Sequence, residues 1–403
     1  MTEWRKRCLG EITSFMSKGI PPKYVERENE NTVCVLNQKC NRNFEIKYEE
    51  SRLHDCSKKK VPADKMLQPG DVLINSTGTG TAGRVAQLYD VPTPTTIDGH
   101  MILLRPTEEI DSVYYGYAVK AFQPKIETLA EGSTGQTEIN RKRLQEEIVI
   151  SFPKEKETQE RIARFLLNID EKIKVNDKIN KNLLEQALAI YKDWFCDYAL
   201  SDGTLPENWK ITTIDAISSL VTRGIAPKYD DSSDQIVLNQ KCIRDHTIDI
   251  SLARRHLPKK INEKWISKGD LLINSTGTGT LGRVAQVWFE ANNMTVDSHV
   301  TIVRPKDLIL QRYIGFWGLS HESEIEAQHT GSTGQTELPR DRVKAMELPL
   351  PDEDTLSKFN ELVIPMTSTV ISNQEENARL SQLRDALLPK LMSGELDVSD
   401  IDL

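Results

Sequence analysis

Two glycine-rich loops are the first segments whose spacing could do chemistry. Residues 78–83 and 277–282 both place glycines in the GxGxxG spacing of dinucleotide-binding loops. Such a site needs a helix after the loop, because the helix N-terminus holds the pyrophosphate, whereas Arg84 to Leu88 predicts a strand. The Lys-Ser or Lys-Thr pair of a phosphate-binding P-loop is missing after both loops. We therefore expect neither loop to bind a nucleotide.

Cysteine and histidine side chains offer a second possible chemistry, a structural zinc site built from Cys34, Cys40, His54 and Cys56. A second copy of this segment keeps two of the four side chains and replaces the other two: Cys242 and His256 remain, whereas Ile236 and Pro258 stand at the other positions. Because a zinc site needs its full ligand set, we expect no metal here.

An aspartate and a histidine two residues apart also occur twice, as Asp98 with His100 and as Asp297 with His299. A catalytic pair needs a nucleophile beside it, and none accompanies these residues, so a structural hydrogen bond is the better interpretation. The Asn/Asp-Pro-Pro-Tyr/Phe tetrapeptide expected of a methyltransferase acting on an exocyclic amine occurs nowhere. We predict that the chain has no catalytic residues and is not itself an enzyme.

The elements that position these loops are written twice in the chain, about 200 residues apart. Residues 70–87 match residues 269–286 at all but two positions, where Val72 and Ala82 become Leu271 and Leu281. The segments VLNQKC and GSTGQTE, which begin at Val35 and Gly132, also return unchanged. The chain is therefore an internal duplication.

Each copy carries short β-like runs between Gly, Thr, Asn and Pro turns, which predicts a mixed α/β domain. We place the two domains at residues 1–153 and 203–351. A long polar segment with helical periodicity follows each domain, at 154–200 and at 352–394, and an acidic tail occupies 395–403.

The two long segments carry apolar residues at alternating steps of four and three, the signature of a coiled coil. Arg384 is the exception in this stripe. The stripe comprises Ile162, Leu166, Ile169, Ile173, Leu183, Ala187, Ile190 and Trp194 in the first segment and Phe359, Val363, Met366, Val370, Leu380, Leu387 and Leu391 in the second. Neither helix is expected to fold alone with such a stripe exposed.

Asparagines interrupt both stripes at matching places, Asn176 and Asn180 in the first helix and Asn373 and Asn377 in the second. An antiparallel pair of helices would bring Asn176 near Asn377 and Asn180 near Asn373. A buried amide pair costs stability but fixes the register of a coiled coil. Exposed asparagines with no such role are the alternative. The predicted fold class is α+β, with two similar α/β domains separated by two long helices that form an antiparallel coiled coil.

Composition limits where such a protein works. The six cysteines form no CxxC pair, and no apolar run approaches the roughly 18 residues of a membrane span. We expect a cytoplasmic protein with reduced thiols and no membrane partner. The net charge of -8 is unusual for a protein that neutralises phosphates, although Lys58–Lys60, Arg141–Arg143 and Arg254–Arg255 are local basic clusters.

The order of domain, long helix, domain and long helix resembles the specificity subunits of type I restriction-modification systems. The resemblance covers nearly the whole chain. It is carried by the tryptophans Trp4 and Trp209 that open the two copies, the GDxLINSTGTGT loops, the two GSTGQ segments, the approach from Pro153 to Ile162 with Gln159, and the C-terminal LPKLMSGEL at Leu388–Leu396. The glutamate-glutamine pair of that approach is matched by Glu157 and Gln159 but not around residues 354–356.

The resemblance implies that each domain reads one half of a split target in double-stranded DNA. It also implies that the helices separate the domains and dock two methyltransferase subunits. Restriction subunits with motor activity would join the full complex. S-adenosylmethionine, ATP and magnesium would bind those partners, and we expect no cofactor on this chain.

Candidate DNA contacts are the side chains with paired donors and acceptors and the small residues of the repeated loops. In the first domain these are Asn37, Gln38, Lys39, Asn75, Ser76, Thr77, Thr79, Arg84, Ser133, Thr134, Gln136, Thr137, Arg141 and Arg143. In the second domain they are Asn239, Gln240, Lys241, Asn274, Ser275, Thr276, Thr278, Arg283, Ser332, Thr333, Gln335, Thr336, Arg340 and Arg342. The alternative for each residue is that it only satisfies backbone groups in a turn.

Because the candidate loops are almost identical, we predict that the two half-sites have related sequences and that the target is nearly palindromic. The divergent segments 43–56 and 245–258 are the places where the half-sites could differ. Two other functions remain open at this point, a stand-alone DNA-binding regulator and a protein-interaction scaffold with no role on nucleic acid.

Overall fold

The structure is a computed structural model that describes residues 3–132, 137–257, 261–331 and 336–396. The chain divides into two compact units. Met1–Lys174 and Asn377–Leu403 form the first unit, and Val175–Glu376 form the second. Each unit therefore contains one domain and one segment from each long helix. None of the helices within the described ranges has a stretch long and apolar enough to cross a membrane.

The described part of the first domain has short strands and three α-helices that precede the first long helix. Its elements are β1 (Trp4–Cys8), β2 (Thr13–Lys18), β3 (Tyr24–Val25), β4 (Thr32–Leu36), β5 (Asn41–Arg42), β6 (Glu45–Ile46), β7 (Arg52–Asp55), β8 (Val72–Asn75), β9 (Val85–Gln87), β10 (Thr95–Ile97), β11 (Met101–Pro106), α1 (Ser112–Ala121), α2 (Gln123–Glu127), β12 (Ala130–Glu131), β13 (Glu138–Ile139), α3 (Arg141–Glu147), β14 (Val149–Pro153) and the long helix α4 (Lys156–Phe195).

The second domain repeats most of this order. Its elements are β15 (Lys210–Thr213), α5 (Ile214–Ile217), β16 (Ser218–Arg223), β17 (Ile236–Leu238), β18 (Ile243–Arg244), β19 (Thr247–Ile248), β20 (Arg254–Arg255), β21 (Leu271–Asn274), β22 (Val284–Gln286), β23 (Met294–Val296), β24 (Val300–Pro305), α6 (Leu310–Ser320), α7 (Glu322–Ala327), α8 (Arg340–Lys344), β25 (Glu347–Leu350) and the long helix α9 (Glu353–Ser393).

Two main sheets build each domain. In the first domain they have the strand orders β2-β11-β8-β9 and β10-β4-β7-β3, and in the second β16-β24-β21-β22 and β20-β17-β23. Within these sheets β4 and β10 pair in parallel, as do β17 and β23, and the other neighbours are antiparallel. The antiparallel pairing of β1 with β14, and of β15 with β25, joins the two ends of each domain.

The long helices bury their apolar stripes in the cores of the domains. In the first unit, Ile162 and Leu166 of α4 and Leu391 of α9 belong to the same core cluster as the sheet β2-β11-β8-β9. In the second unit, Ala187 of α4 and Phe359 of α9 do the same for the second domain. This burial meets the requirement that a one-sided apolar helix must cover its stripe.

The core of the second unit departs from the predicted stripe in one respect. Tyr191 and Phe195, which the four-three spacing did not include, are almost fully buried. The ring of Phe195 lies 5.0 Å from those of Tyr313 and Phe359, in edge-to-face contact. The positions of the aromatic residues in α4 therefore follow from packing against the second domain and not from the helix pair alone.

Within each unit the two helical segments run antiparallel. In the second unit Asn373 Nδ2 donates to Asn180 Oδ1 at 2.8 Å, the pair that the spacing predicts. Asn176 Nδ2 donates to Glu376 Oε2 at 2.7 Å, and in the first unit Asn377 Nδ2 reaches the carbonyl of Ile173 at 3.5 Å. The pairing of Asn176 with Asn377 stays a prediction.

Candidate nucleic-acid interface

The glycine-rich loop between β8 and β9 is a tight turn closed by its own backbone. Gly83 N donates to the carbonyl of Asn75 at 2.8 Å, and Thr81 N donates to that of Gly78 at 3.0 Å. Gly78 has φ +109°, and a Cβ there would lie 2.2 Å from Thr81 Oγ1, so only glycine fits. Thr79 and Gly80 are exposed at the tip of the loop. The segment that follows is a strand, as predicted, and not the helix of a dinucleotide site.

The loop between β21 and β22 has the same geometry. Gly282 N donates to Asn274 O at 2.8 Å, and Gly277 has φ +101° with Thr280 Oγ1 2.4 Å from the position of a Cβ. Thr278 is exposed at the tip, in the position that Thr79 has in the first domain. Each domain therefore presents one small hydroxyl group on a loop fixed by its glycines.

Four of the predicted contact residues lie beneath these loops rather than on them. Asn75, Ser76, Asn274 and Ser275 each expose 0% of their surface. Asn75 Nδ2 donates to the carbonyl of Gln38 at 3.0 Å, and Asn274 makes the same bond to Gln240. A fully buried side chain does not reach a base edge in this structure, so DNA contact by these four residues stays a prediction that their burial does not support. Their asparagines instead tie two loops together.

The loop that follows β4 supplies the second part of the surface. Asn37 Oδ1 accepts from Lys39 N at 2.8 Å, and its Nδ2 donates to the carbonyl of Glu50. Asn239 makes the equivalent bonds to Lys241 N and to the carbonyl of Leu252. Both asparagines are thus committed to holding the turn. The lysines are exposed and project their charge from the loop.

A histidine that follows β10 completes the link between the loops. His100 Nδ1 is 2.9 Å from Thr77 Oγ1, and the His100 backbone N–H donates to Asp98 Oδ1 at 2.9 Å. His299, Thr276 and Asp297 repeat these contacts at 2.7 and 2.9 Å. Burial raises the pKa of both aspartates, and the backbone N–H groups of His100 and His299 partly offset this increase. The predicted Asp-His pairs are therefore structural, with the imidazoles exposed beside the candidate loops.

The third part of the surface comes from the segment before α3. Ile139 N donates to the carbonyl of Ser76 at 2.8 Å, so this segment lies against the glycine loop, and Leu338 N does the same with Ser275. Thr137 and Thr336 are half-buried here, and Arg141 and Arg340 are exposed. The predicted contacts Ser133, Thr134, Gln136, Ser332, Thr333 and Gln335 lie outside the described residues.

The predicted arginines differ in the bonds that their guanidinium groups make within the domain. Arg143 forms ion pairs with Glu131 at 2.8 Å and Glu147 at 2.6 Å, and these two carboxylates raise its pKa. Its guanidinium is therefore occupied within the domain. Arg84 Nη2 donates to the carbonyl of Gly80 at 3.0 Å and braces the glycine loop. Arg342 Nη1 contacts the carbonyl of Gln328 at 3.5 Å, and Arg283, which corresponds to Arg84, is half-buried.

The side chains considered for zinc are used otherwise. His54 Nδ1 accepts from the backbone N–H of Lys23 at 2.8 Å, and Nε2 bonds the carbonyl of Lys59 at 2.7 Å. Burial raises the pKa of the Cys40 thiol to about 11, which disfavours the thiolate that zinc requires. Among the described residues, no group of three His, Cys, Asp or Glu side chains is placed to hold a metal ion.

Gln159, which carried part of the resemblance, joins α4 to the first domain. Its side chain is fully buried, with Oε1 accepting from Asp111 N at 2.7 Å and Nε2 donating to the carbonyl of Pro153 at 2.8 Å. At the start of α9 the equivalent position is the buried Leu356. Asp352 replaces this anchor, because it accepts from Thr355 N and from Trp209 Nε1.

The two domains carry equivalent polar surfaces, each made of three loops held by corresponding hydrogen bonds, and these surfaces form a duplicated candidate site. Residues 1–185 match the family described as the type I restriction modification DNA specificity domain. The MjaIX specificity subunit of Methanocaldococcus jannaschii is 25% identical over 309 residues, covering 72% of this chain and 69% of that protein. The HindI specificity subunit of Haemophilus influenzae is 21% identical over 98% of this chain and 100% of its own length.

A solved structure shares the fold. The crystal structure of the type I restriction-modification S subunit from M. genitalium aligns with a TM-score of 0.56 at 17% identity, over 97% of this chain and 96% of that one. The first 185 residues thus match the specificity-domain family, and the chain as a whole is similar to type I restriction enzyme specificity subunits.

Proposed function

We propose that this chain is the DNA sequence-specificity subunit of a type I restriction-modification complex. Each domain reads one half of a bipartite target in duplex DNA, and the half-sites are related in sequence. The observation that carries the proposal is the duplicated three-loop surface, in which Thr79 and Thr278 occupy the same exposed position on loops of nearly identical sequence. Small residues on rigid loops let a backbone approach phosphates closely.

The chain itself supplies recognition and no chemistry. Methyl transfer belongs to two methyltransferase subunits that dock on the long helices and bind S-adenosylmethionine. Cleavage belongs to restriction subunits that use ATP and magnesium. This division fits the engaged side chains of the first domain, where His54 and His100 serve hydrogen bonds that hold loops and strands in place.

The electrostatics of the surface support contact with a polyanion despite the net charge of -8. Lys39 and Arg141 are exposed on the loops of the first domain, and Lys241 and Arg340 are exposed in the second. Local cations of this kind release counterions from DNA on binding, so affinity should fall steeply as salt concentration rises.

Two charge-introducing variants test the proposal. Thr79→Asp and Thr278→Asp each place a carboxylate at a loop tip without touching the core. Duplex binding by the complex with its methyltransferase should fall about tenfold or more for either variant, because a like charge meets the phosphates. Thr93→Asp is the matched control, since this exposed threonine precedes β10 and lies at the end of that strand opposite to Asp98.

The same preparation separates the alternative functions. Co-purification with the methyltransferase and salt-dependent binding to duplex DNA are both expected. Tight specific binding by the chain alone, without a methyltransferase partner, would indicate a regulator. Absence of any salt-dependent binding in the intact complex would indicate a scaffold and would contradict the proposal.

A further inference from the structure

A stacked arginine and tyrosine occur at the same position in both domains. The guanidinium carbon of Arg52 lies 3.4 Å from the centroid of the Tyr24 ring, and that of Arg254 lies 3.4 Å from the centroid of the Tyr229 ring. Both arginines are exposed, and the stack covers one face of each guanidinium. Such a cation–π contact holds the plane of the guanidinium in one orientation.

The pair recurs in a part of the chain where the two copies otherwise differ. Between residues 43–56 and 245–258 only three positions are identical, namely Ile46, Arg52 and His54 with their counterparts Ile248, Arg254 and His256. The tyrosines lie in Pro-Lys-Tyr segments that are also repeated. His54 and Ile46 are explained by burial or half-burial, whereas an exposed arginine has no packing reason to be repeated.

The stack lies at the edge of the sheet that carries the second candidate loop, the one that follows β4 in the first domain and β17 in the second. Arg52 pairs with Val35 in β4, two residues before Asn37 opens the second loop, and Arg254 pairs with Val237 in β17 in the same way. Tyr24 Oη reaches Asp98 Oδ2 at 3.5 Å, and Asp98 holds the backbone of His100. A short chain of contacts therefore connects the stack to the glycine loop.

The chemistry of the pair favours reading a base over neutralising a phosphate. In the described part of the chain neither Arg52 nor Arg254 forms an ion pair, so their donors are not taken by a carboxylate. A phosphate can be contacted by a positive charge from many directions, so a lysine is sufficient to bind it. A planar guanidinium held against a tyrosine ring is instead suited to donate paired hydrogen bonds to O6 and N7 of guanine in the major groove.

We propose that Arg52 and Arg254 each read one guanine of their half-site through paired hydrogen bonds, with Tyr24 and Tyr229 as the platforms that orient them. This inference rests on the proposed function of the chain. It adds a specific requirement, a guanine at equivalent positions of the two half-sites. Neither arginine belongs to the three loops described above.

The test uses the complex of the full chain with its methyltransferase subunits and compares methylation rates on duplexes in which each base pair of the target is substituted singly. Arg52→Lys keeps the positive charge but removes the paired N–H donors of the guanidinium. It should reduce discrimination at one G·C pair of one half-site by roughly tenfold to a hundredfold, and Arg254→Lys should do so at the equivalent pair of the other half-site. Thermal unfolding checks that both exposed substitutions leave the fold intact.

Variants of the platform and a charge control sharpen the result. Tyr24→Phe keeps the ring and should keep the preference, whereas Tyr24→Leu should relax it at the same base pair as Arg52→Lys. Arg7→Ala removes an exposed positive charge from β1 of the same domain and should change no base preference.

The outcomes separate this inference from the proposed function. Lysine variants that keep the wild-type preference at every position would show that the arginines do not read a base, and would overturn the inference alone. Uniform weakening on all duplexes would indicate a phosphate contact and would overturn it as well. A wild-type complex that methylates no chain-dependent motif would overturn both proposals together.

Discussion

The first unit contains a buried ionic cluster whose loss should release the end of α9. Arg384 Nη1 donates to Asp170 Oδ1 at 2.6 Å, and Tyr117 Oη donates to Asp170 Oδ2 at 2.5 Å. The side chains of Arg384 and Asp170 are 21% and 11% exposed. In the second unit the equivalent positions hold Phe316, Thr367 and Ala187, so the cluster occurs in one unit and not in its repeat.

Arg384→Met keeps much of the side-chain volume but leaves the Asp170 carboxylate with Tyr117 alone. Breaking a fully buried ion pair costs about 3–5 kcal/mol. Because both groups keep some contact with water and one hydrogen bond survives, we expect a loss of about 2–3 kcal/mol. At 1.4 kcal/mol per factor of ten this corresponds to about a 30- to 150-fold change in the equilibrium for opening this part of the helix.

Hydrogen exchange measures this local opening directly. Backbone amides in residues 378–393 should lose protection by that factor, whereas those in residues 353–370 should not change. Arg379→Met is the matched control, because Arg379 is an exposed residue on the same helix. Replacing all three members, by Tyr117→Phe, Asp170→Leu and Arg384→Met, should restore most of the protection. Unchanged protection in Arg384→Met, or an equal loss in both segments, would refute this reasoning.

Three further predictions concern the loops, the helix register and the start of α9. Gly78→Ala and Gly277→Ala should each lower duplex binding at least tenfold in a binding titration, because a Cβ would lie 2.2 or 2.4 Å from a threonine hydroxyl at a positive φ; unaltered affinity would mean that the loop shape is irrelevant. Asn373→Leu should destabilise the second unit by about 1–3 kcal/mol in urea unfolding, because it leaves the buried Asn180 side chain without its hydrogen-bond donor. The double variant with Asn180→Leu should recover that loss of stability, whereas additive losses would show that the two asparagines do not act as a pair. The N–H of Thr355 lowers the pKa of Asp352 to about 2 from 3.8, so its stabilising contribution is present above pH 3.8 and is lost as the pH falls towards 2; Asp352→Asn should flatten that part of the unfolding profile, and an unchanged profile would contradict this role.

The duplication and the helices could be predicted from the sequence because both leave a periodic signal. The repeat gave the two domains, and the four-three spacing gave helices that the structure places at Lys156–Phe195 and Glu353–Ser393. The burial of Tyr191 and Phe195 could not be predicted in this way. These side chains pack into the core of the second domain, and the periodicity of the helix contains no information about that contact.

The sequence identifies the repeated loops, but it does not show which of their side chains are exposed. Asn75 and Asn274 have the side chains of base readers, but they brace a neighbouring loop from below. Sequence alone does not distinguish an amide that faces DNA from one that satisfies a turn. The stacked pairs of Tyr24 with Arg52 and Tyr229 with Arg254 were missed because their partners lie 28 and 25 residues apart in the sequence. The repeated Pro-Lys-Tyr segment and the repeated arginine were the signals that could have found them.

The most direct test of DNA reading by this chain is a genome-wide map of methylated bases in a host that expresses the chain with its methyltransferase, compared with a host that expresses the methyltransferase alone. We expect a split motif that appears only with the chain and whose two halves are related by a near-twofold symmetry. No chain-dependent motif, with the methyltransferase shown to be active and bound to the chain, would contradict the claim that this chain reads DNA for its partner.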